Sequence, residues 1–355
     1  MNTIDIGCER PYQVRIGKGL LKEVGNLIGE LEGIRRICVV TDDNVSRLYL
    51  DEVVGSLRDG GFKVCTHVFP SGERSKSMET YLSVMDTLIN NDLQRKDALV
   101  ALGGGVVGDL TGFVASTYTR GIRFIQIPTT ILSAVDASVG GKTAVDFQDK
   151  KNLIGTFWQP SMVICDVETF DTLPEEIRKE GQGEVVKYAF IHDRKVLDSL
   201  TEGSEEEMVA RCVEAKRHFV ENDERDQGIR AALNFGHTVG HGYEYISGLT
   251  IRHGSAVMMG IVCELYIGML HGVTPEGLLD TALDCCRKLG LEGPRPFEPG
   301  SIFEAIRHDK KNNGGIGFVL ITEMEKYTIE QIPESLCLDY LRELDSAIRE
   351  GKLSP

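Results

Sequence analysis

Short runs of apolar residues alternate with amphipathic patterns in the first half of the chain. An amphipathic period over residues 78–90 predicts a helix. Apolar runs of this length are typical of strands that are buried on both faces of a sheet. The predicted strands cover residues 36–42, 63–69, 98–102, 124–128 and 162–166. Strands that alternate with helices indicate an α/β fold with a parallel sheet covered by helices.

Helical periodicity dominates the chain after residue 172. The predicted helices cover residues 175–191, 193–201, 204–221, 228–247, 254–270, 275–289 and 335–349, and a small strand is predicted at 316–322. Residues 256–270 are the most apolar stretch, but they include Glu264 and are shorter than the ~20 residues of a membrane span. We therefore predict a buried helix there. The change of pattern predicts two domains, residues 1–172 with the parallel sheet and residues 173–355 mainly helical.

The overall charge narrows the choice of partners. The chain has 355 residues and a formal net charge of −15. Such an acidic protein repels nucleic acid and anionic membranes, and we expect neither as a partner. An anionic substrate would therefore need a local cluster of lysine and arginine side chains.

Cysteine usage indicates a reducing compartment. Nine cysteines occur without a C-x-x-C pair, so neither a disulfide framework nor a cysteine-rich zinc site is expected. We predict that most of the cysteines are small core residues. The first residues have neither the basic nor the apolar segment of a signal peptide, and we expect a cytoplasmic protein.

A glycine-rich segment at residues 103–108 fits the pattern G-x-G-x-x-G. It follows a predicted strand and precedes a helix, which is the context of a turn that binds the pyrophosphate of a dinucleotide. The acidic residue expected ~20 positions later is absent. A plain tight turn is the alternative, and Asp42 and Asn44 at an earlier strand end are candidate ribose or adenine contacts. Residues 140–143 resemble the end of a P-loop, but Asp136 replaces its first glycine, which excludes an ATPase of that class.

Three of the eight histidines fall close together in the sequence, at His237, His241 and His253. His237 and His241 are four residues apart, so on a helix they share one face. Both could hold a zinc ion, or one could bind metal while the other faces a substrate. Glu184 is a candidate third ligand, and two histidines with one carboxylate form a catalytic zinc pattern. The alternative is that these histidines are packed or exposed without a metal.

Cationic residues recur among small and polar neighbours. Arg230, Asn234, His237 and His241 follow at helical spacings, which predicts that one helix face carries all four. Such a face suits the wall of a polar pocket, and the cations together indicate a small, doubly anionic substrate. The cationic candidates are Arg120, Lys142, Lys151 beside Asn152, Lys187, Lys216, Arg230, Lys310 and Lys311.

At these positions the sequence resembles the 3-dehydroquinate synthase family. Each motif alone is weak, but their order along nearly the whole chain is very specific. The matching segments are 41–44 (TDDN), 71–76 (SGERSK), 102–113 (LGGGVVGDLTGF), 128–130 (PTT), 136–155, 184–188 (EVVKY), 233–241 (LNFGHTVGH) and 252–254 (RHG). The resemblance implies a Rossmann-like N-terminal domain, a mainly helical C-terminal domain and a homodimer in which Arg120 reaches the neighbouring subunit.

The resemblance also implies the residues of the site. Glu184, His237 and His253 would bind Zn²⁺ or Co²⁺, and His241 would face the substrate. NAD would contact Asp42, Asn44, Glu73, Lys76, Gly104, Gly105, Val106, Asp109, Thr129, Thr130, Lys142 and Lys151. The substrate residues would be Arg120, Asp136, Lys142, Lys151, Asn152, Lys187, Lys216, Arg230, Asn234, His241, Lys310 and Lys311. Among these, the catalytic residues would be Lys142, Asn152, Lys187 and His241.

The activity implied is the conversion of 3-deoxy-D-arabino-heptulosonate 7-phosphate, an anionic sugar phosphate, to 3-dehydroquinate. It comprises transient oxidation by NAD, phosphate elimination, re-reduction and an intramolecular aldol closure. One alternative is a sister cyclase that acts on sedoheptulose 7-phosphate. Another is a metal-dependent polyol dehydrogenase, which would release NADH. A third, from another class, is a non-catalytic nucleotide-binding regulator.

Overall fold

The computed structural model describes residues 1–148, 150–248, 250–309 and 315–355, without the side chains of residues 308 and 309. The chain forms two units. The first comprises Met1–Pro174 and Lys216–Arg225, and the second comprises Glu175–Ala215 and Asp226–Pro355. Lys216–Arg225 thus lies with the first unit, although it follows the predicted boundary at residue 172.

The first unit is built on a seven-stranded sheet of order β1-β2-β9-β6-β5-β3-β4. All neighbouring pairs except β1 and β2 are parallel. The strands of this unit are β1 (Asn2–Ile6), β2 (Tyr12–Gly17), β3 (Arg36–Asp42), β4 (Lys63–Phe69), β5 (Ala98–Gly103), β6 (Arg123–Pro128), β7 (Lys142–Phe147), β8 (Lys150–Phe157) and β9 (Met162–Asp166). Its α-helices are α1 (Val24–Gly29), α2 (Asp43–Val45), α3 (Asp51–Asp59), α4 (Met78–Asn90) and α5 (Gly105–Thr117).

The five predicted strands and the helix at residues 78–90 are confirmed, as is the parallel sheet. Two hairpins were not predicted. The pair β1–β2 alternates polar and apolar residues at one end of the sheet, and the antiparallel pair β7–β8 carries many exposed residues. Neither hairpin has the continuous apolar run that identified the central strands.

The sheet is covered on both faces because successive side chains of a strand point to opposite sides. Ile37 and Val39 of β3 face the core formed with α1 and α3, whereas Cys38 and Val40 face the core formed with α4 and α5. Seven of the nine cysteines are buried, in line with the prediction of core residues. The sheet therefore presents the carboxyl ends of β3, β5 and β6 side by side, where α/β proteins bind ligands.

The second unit is mainly helical and contains one antiparallel hairpin. Helix α8 is divided between the two units. The remaining elements are α6 (Glu175–Ile191), α7 (Lys195–Thr201), α8 (Glu205–Asn222), α9 (His237–Ile246), α10 (His253–Leu270), α11 (Glu276–Leu289), α12 (Pro299–Asp309), β10 (Ile316–Glu323), β11 (Lys326–Ile332) and α13 (Glu334–Arg349). Six of the seven predicted helices and the predicted strand are confirmed, whereas α12 and β11 were not predicted.

The prediction of one continuous helix over residues 228–247 is wrong. A 3-10 helix spans Ile229–Asn234, and α9 begins only at His237. Between them Gly236 adopts a φ of 80°, which ends helical progression and is a conformation that glycine adopts without strain.

Helix α10 is long and apolar enough to cross a membrane by composition alone, but 72% of it is buried inside the fold. It packs against α6 and α9. The apolar stretch is therefore the core helix of its unit, as the sequence predicted.

Candidate functional site

Three helices of the second unit bring one carboxylate and two imidazoles together. Glu184 comes from α6, His237 is the first residue of α9, and His253 is the first residue of α10. Oε1 of Glu184 lies 3.2 Å from Nε2 of His237 and 3.2 Å from Nε2 of His253. These atoms lie within 4.8 Å of one another, which is the arrangement a single metal ion requires.

Glycines where these helices meet allow them to approach this closely. A Cβ atom on Gly254 would lie 1.7 Å from the carbonyl oxygen of Glu180, so α6 and α10 touch through their backbones. A Cβ atom on Gly260 would lie 1.8 Å from the carbonyl oxygen of Gly236, so α10 touches the turn before α9. The ligand atoms converge because no side chain separates the helices beside them.

Both histidines have an acceptor at Nδ1, which fixes their orientation. Nδ1 of His237 lies 3.1 Å from the carbonyl oxygen of Phe235, and Nδ1 of His253 lies 3.5 Å from Oε2 of Glu244. A proton on each Nδ1 directs the lone pair of each Nε2 towards Glu184. Two lone pairs and a carboxylate oxygen repel one another unless a proton or a cation lies among them. The donor set therefore fits a divalent metal ion.

The electrostatic environment favours the ligand forms of Glu184 and His237. Burial opposes ionisation of Glu184, but Lys187 and His237 outweigh it and hold the pKa of the carboxyl well below its usual range. Burial lowers the pKa of His237, which favours the neutral imidazole. Burial also works against a charge on His253, but hydrogen bonds with Glu184 and Glu244 raise its pKa to about 10. The positive charge of a protonated His253 then compensates the negative charges of Glu184 and Glu244, as a bound cation would.

His241 lies beside this group. Its ring centroid is 5.4 Å from that of His237, so the two histidines share a helix face as predicted. Its Nε2 is 3.9 Å from Oε2 of Glu244, and together with Glu244 and His253 it forms a second group with possible ligand atoms. The group that contains Glu184 includes His237 and His253 but not His241.

Buried cations occur in the same unit. The Lys187 ammonium contacts the Glu184 carboxylate, and its side chain is only 2% exposed. Arg230 is 2% exposed on the 3-10 helix, and Asn234 at the end of that helix is exposed. Because the chain turns at Gly236, the predicted single helix face with Arg230, Asn234, His237 and His241 does not form. Lys310 and Lys311 lie outside the described residues.

In the first unit, the glycine-rich segment forms the predicted strand, turn and helix. Strand β5 ends at Gly103, Gly104 follows, and α5 begins at Gly105. A Cβ atom on Gly104 would meet only Thr130, at 3.4 Å, so the space before the helix is open. Val106 is the second residue of α5, and Thr129 donates its N–H to the Gly103 oxygen at 3.1 Å. This surface can receive a pyrophosphate.

Asp42 ends the neighbouring strand β3. Its Oδ1 accepts N–H groups of Asn44 and Val45 at 2.9 Å each, so the carboxylate caps the helix that follows. The Asn44 amide donates to Ser71 at 3.0 Å. Asp42 and Thr129 thus lie at the carboxyl ends of strands that flank β5, where a dinucleotide is expected.

Lys76 links several of the candidate residues. Its buried ammonium lies 2.6 Å from Oδ2 of Asp109 and also contacts the side-chain oxygen of Asn152. Asn152 has a φ of 55°, which is uncommon for a residue other than glycine. Its N–H donates to Oδ1 of Asp146 at 2.7 Å. Glu73 is in the same loop as Lys76, on a 3-10 helix at Glu73–Ser75.

The other candidates of this unit lie on the β7–β8 hairpin, on helix α8 and in turns. Lys142 and Lys151 are exposed on β7 and β8. The Lys216 ammonium contacts both the main-chain oxygen and the carboxylate of Asp136, the latter at 2.9 Å. Arg120 is exposed and has a φ of 65° in a turn.

Two family models match neighbouring parts of the chain. The model described as 3-dehydroquinate synthase N-terminal matches residues 66–180, and the one described as 3-dehydroquinate synthase C-terminal matches residues 181–312. A 3-dehydroquinate synthase of Streptococcus gordonii is 41% identical over 344 residues, which cover 94% of this chain and 97% of that protein. The chain belongs to the 3-dehydroquinate synthase family.

Solved structures of related cyclases share the fold of this family member. A 2-deoxy-scyllo-inosose synthase complexed with carbaglucose-6-phosphate, NAD+ and Co²⁺ superposes with a TM-score of 0.88 at 24% identity, covering 96% of this chain and 100% of that one. A 2-epi-5-epi-valiolone synthase from Streptomyces hygroscopicus with NAD+ and Zn²⁺ gives 0.86 at 24% identity, covering 97% and 99%. The fold of the chain is thus the Rossmann-like fold of the sugar-phosphate cyclases.

Two buried acids beside the histidines were not singled out from the sequence. Glu244 follows His241 by three residues and accepts from His253, and Glu264 lies in the middle of the apolar helix α10. A carboxylate in an apolar helix needs polar partners inside the fold, since an unpaired buried charge is costly. The position of Glu264 in an apolar stretch therefore predicts polar partners, although the sequence was used only to exclude a membrane span there.

Proposed function

We propose that the protein is a 3-dehydroquinate synthase that converts 3-deoxy-D-arabino-heptulosonate 7-phosphate to 3-dehydroquinate and phosphate. It would act as a carbon–oxygen lyase of the shikimate pathway, on the way to aromatic amino acids. Family membership along 94% of the chain supports this function. The observation that carries it is the convergence of Glu184, His237 and His253 beside the Lys187 ammonium.

The proposed cofactors are NAD and a divalent ion, Zn²⁺ or Co²⁺. The solved relatives with NAD+ and Co²⁺ or Zn²⁺ support this proposal, as does the donor set described above. When bound, NAD would take up and return a hydride, and the metal ion would polarise substrate oxygens. Glu184 would bind the ion through Oε1, and His237 and His253 through Nε2. Lys187 would keep Glu184 ionised.

The residues of the glycine-rich turn would bind the dinucleotide. N–H groups at the start of α5, in residues 104–106, would donate to the pyrophosphate, where the helix dipole favours negative charge. Asp42 and Asn44 would contact the ribose or adenine, and Thr129 and Thr130 would line the same surface. Glu73, Lys76, Asp109, Lys142 and Lys151 complete the proposed NAD contacts.

We assign the substrate to the cationic and polar residues already described. Lys142, Asn152, Lys187 and His241 would contact its reacting part, where ammonium groups stabilise negative charge. Arg230 would bind the carboxylate, because a buried guanidinium offers paired donors to a planar anion. The remaining proposed contacts are Arg120, Asp136, Lys151, Lys216, Asn234, Lys310 and Lys311.

The protein would act as a homodimer in the cytoplasm. Arg120 supports the dimer, because it is exposed and holds a φ of 65°, a strained backbone conformation of the kind that persists at functional sites. We propose that this side chain serves the neighbouring subunit. Sedimentation equilibrium should give a dimer mass, and a monomer at working concentrations would contradict this part of the proposal.

A product assay tests the function. The purified protein should release phosphate and 3-dehydroquinate in equal amounts from the keto acid phosphate when NAD and Zn²⁺ are present. Sedoheptulose 7-phosphate, which lacks the carboxylate, should react much more slowly. Equal phosphate release from both substrates would favour the sister cyclase, and stoichiometric NADH would favour a polyol dehydrogenase.

A further inference from the structure

Glu264 is a fully buried acid in the most apolar helix of the chain. It lies in α10, eleven residues after His253, and no part of it is exposed to solvent. Burial of a carboxylate is costly unless other groups donate hydrogen bonds to it. Its position in an otherwise apolar helix therefore requires specific partners.

The partners of Glu264 include the main chain at the start of α9. Oε2 accepts the N–H of Gly236 at 2.9 Å, and Oε1 accepts the N–H of Val239 at 3.1 Å. The first N–H groups of a helix have no acceptor within the helix itself. No side chain at the N-cap position of α9 supplies one, because that residue is Gly236. Glu264 therefore caps α9 from the neighbouring helix.

His237 lies between the two anchored N–H groups. Its Nδ1 is held by the carbonyl oxygen of Phe235 at 3.1 Å, and its Nε2 lies 3.2 Å from Oε1 of Glu184. The carbonyl oxygen of Phe235 thus fixes the His237 imidazole, and Glu264 fixes the main chain on both sides of His237. The Gly236 turn, with a φ of 80°, has no side chain of its own to hold it in place.

We propose that Glu264 is a positioning residue that holds the main chain around His237 so that Nε2 can bind a divalent metal ion. This inference rests on the proposed metal centre of Glu184, His237 and His253. Groups that orient a metal ligand commonly change metal affinity by about 10–100-fold when they are lost. In this assignment Glu264 is neither a metal ligand nor a substrate contact, and it acts through the main chain at Gly236 and Val239.

The test compares Co²⁺ binding by the metal-free wild type with that of Glu264→Gln. Glutamine keeps the shape of glutamate, but an NH₂ group replaces one of the two acceptor oxygens and faces a main-chain N–H donor. The matched control is Asp345→Asn, since Asp345 is also a buried acid of this unit and accepts the N–H of Phe297 at 2.9 Å. Co²⁺ titration followed by visible absorption gives each affinity without any assay of activity.

We expect Glu264→Gln to weaken Co²⁺ binding about 10–100-fold and Asp345→Asn to leave it within about twofold, even though both variants lose stability. Unchanged affinity in folded Glu264→Gln would overturn the role of Glu264 alone. Equal weakening by Asp345→Asn would overturn it too, by showing a general effect of stability. No Co²⁺ binding by the wild type would instead contradict the metal centre itself, and the role of Glu264 with it.

If Glu264→Gln does not fold, Glu264→Asp replaces it in the same titration. Aspartate keeps the charge but is one methylene shorter, so it cannot reach both N–H groups with the same geometry. Weakened Co²⁺ binding is again expected, and wild-type affinity would contradict the proposal. Metal-induced thermal stabilisation, which depends on the dissociation constant, provides an independent reading of each affinity.

Discussion

The proposed metal ligands and the proposed catalytic residue Asn152 are held in place by different means. Glu184 lies on α6 and His237 begins α9, and the backbone of α10 closely approaches α6 at Gly254 and the turn before α9 at Gly260. Asn152 lies on β8, where most residues are exposed, and holds a φ of 55°. Close packing therefore positions the proposed metal ligands, whereas polar contacts position Asn152.

Three polar contacts form a closed ring around Asn152. The N–H of Asp146 donates to the main-chain oxygen of Lys76 at 2.8 Å. The Asp146 carboxylate accepts the N–H of Asn152 at 2.7 Å, and the Lys76 ammonium contacts the Asn152 side chain. Single changes in this ring should have smaller effects than changes in the packed region, which comprises Glu184, His237 and His253 and the helix contacts beside them. Each change in the ring removes one hydrogen bond and leaves no steric clash.

The largest effect is expected for His237→Ala. Loss of this proposed metal ligand should remove the metal ion and several kcal/mol of transition-state stabilisation, which corresponds to at least about a thousandfold loss of kcat. Metal content by plasma emission and steady-state kinetics should fall together. A variant that keeps full activity in a demonstrably metal-free sample would contradict the assignment.

Gly254→Ala tests the packed region without touching a ligand side chain. The new Cβ would lie 1.7 Å from the carbonyl oxygen of Glu180, so α6 and α10 must separate. We expect a loss of about 3 kcal/mol of stability and much weaker metal binding. Gly277→Ala is the control, because nothing lies within 4 Å of its Cβ position on α11. Equal unfolding free energies for both variants would show that the close approach is unimportant.

Arg230→Ala removes a buried cation from the packed region. A charge-assisted hydrogen bond contributes about 1.5–3 kcal/mol, so kcat/KM for the keto acid phosphate should fall about tenfold to a hundredfold. NAD affinity, measured by calorimetry, should be nearly unchanged. A wild-type kcat/KM in this variant would contradict the proposal that Arg230 binds the substrate carboxylate.

Gly104→Val tests whether Gly104 is needed for cofactor binding rather than for packing. Its new Cβ would meet only Thr130, at 3.4 Å, so the fold should tolerate the change. The larger side chain should occupy space needed by the pyrophosphate and weaken NAD binding by about tenfold or more, about 1.4 kcal/mol. A thermal melt and an NAD titration distinguish the two effects. Unchanged NAD affinity would contradict the proposal that the glycine-rich turn binds the cofactor.

The smallest effect is expected for Asp146→Ala. Loss of the acceptor for the Asn152 N–H should release the strained main chain and lower kcat about tenfold, since such a bond is worth about 1–2 kcal/mol. Asp146→Asn, which keeps an acceptor oxygen, should recover most of the activity. An alanine variant with wild-type kcat would show that the ring does not position Asn152.

The packed region was predicted from the sequence more completely than the hairpin region. Helical periodicity located α6 and α10, and the four-residue spacing placed His237 and His241 on one face. Periodicity did not reveal the break at Gly236, because the residues on both sides of it continue the same pattern.

The hairpin was not predicted, because strand prediction relies on apolar runs and β8 is mostly exposed. The recurrence of cations and the family resemblance both indicated Lys151 beside Asn152, but neither placed them on a hairpin. The roles of Asp146, Glu244 and Glu264 depend on contacts between elements distant in sequence, and a single sequence contains no direct record of such contacts.

A substrate labelled with deuterium at C5 tests whether the protein oxidises this carbon transiently with NAD. If the protein oxidises this carbon with NAD and then returns the hydride, the 3-dehydroquinate product should retain the deuterium. Absorbance at the NADH wavelength should not rise steadily, and one phosphate should be released for each product formed. Deuterium found in released NADH, or product formed without any need for NAD, would contradict the account.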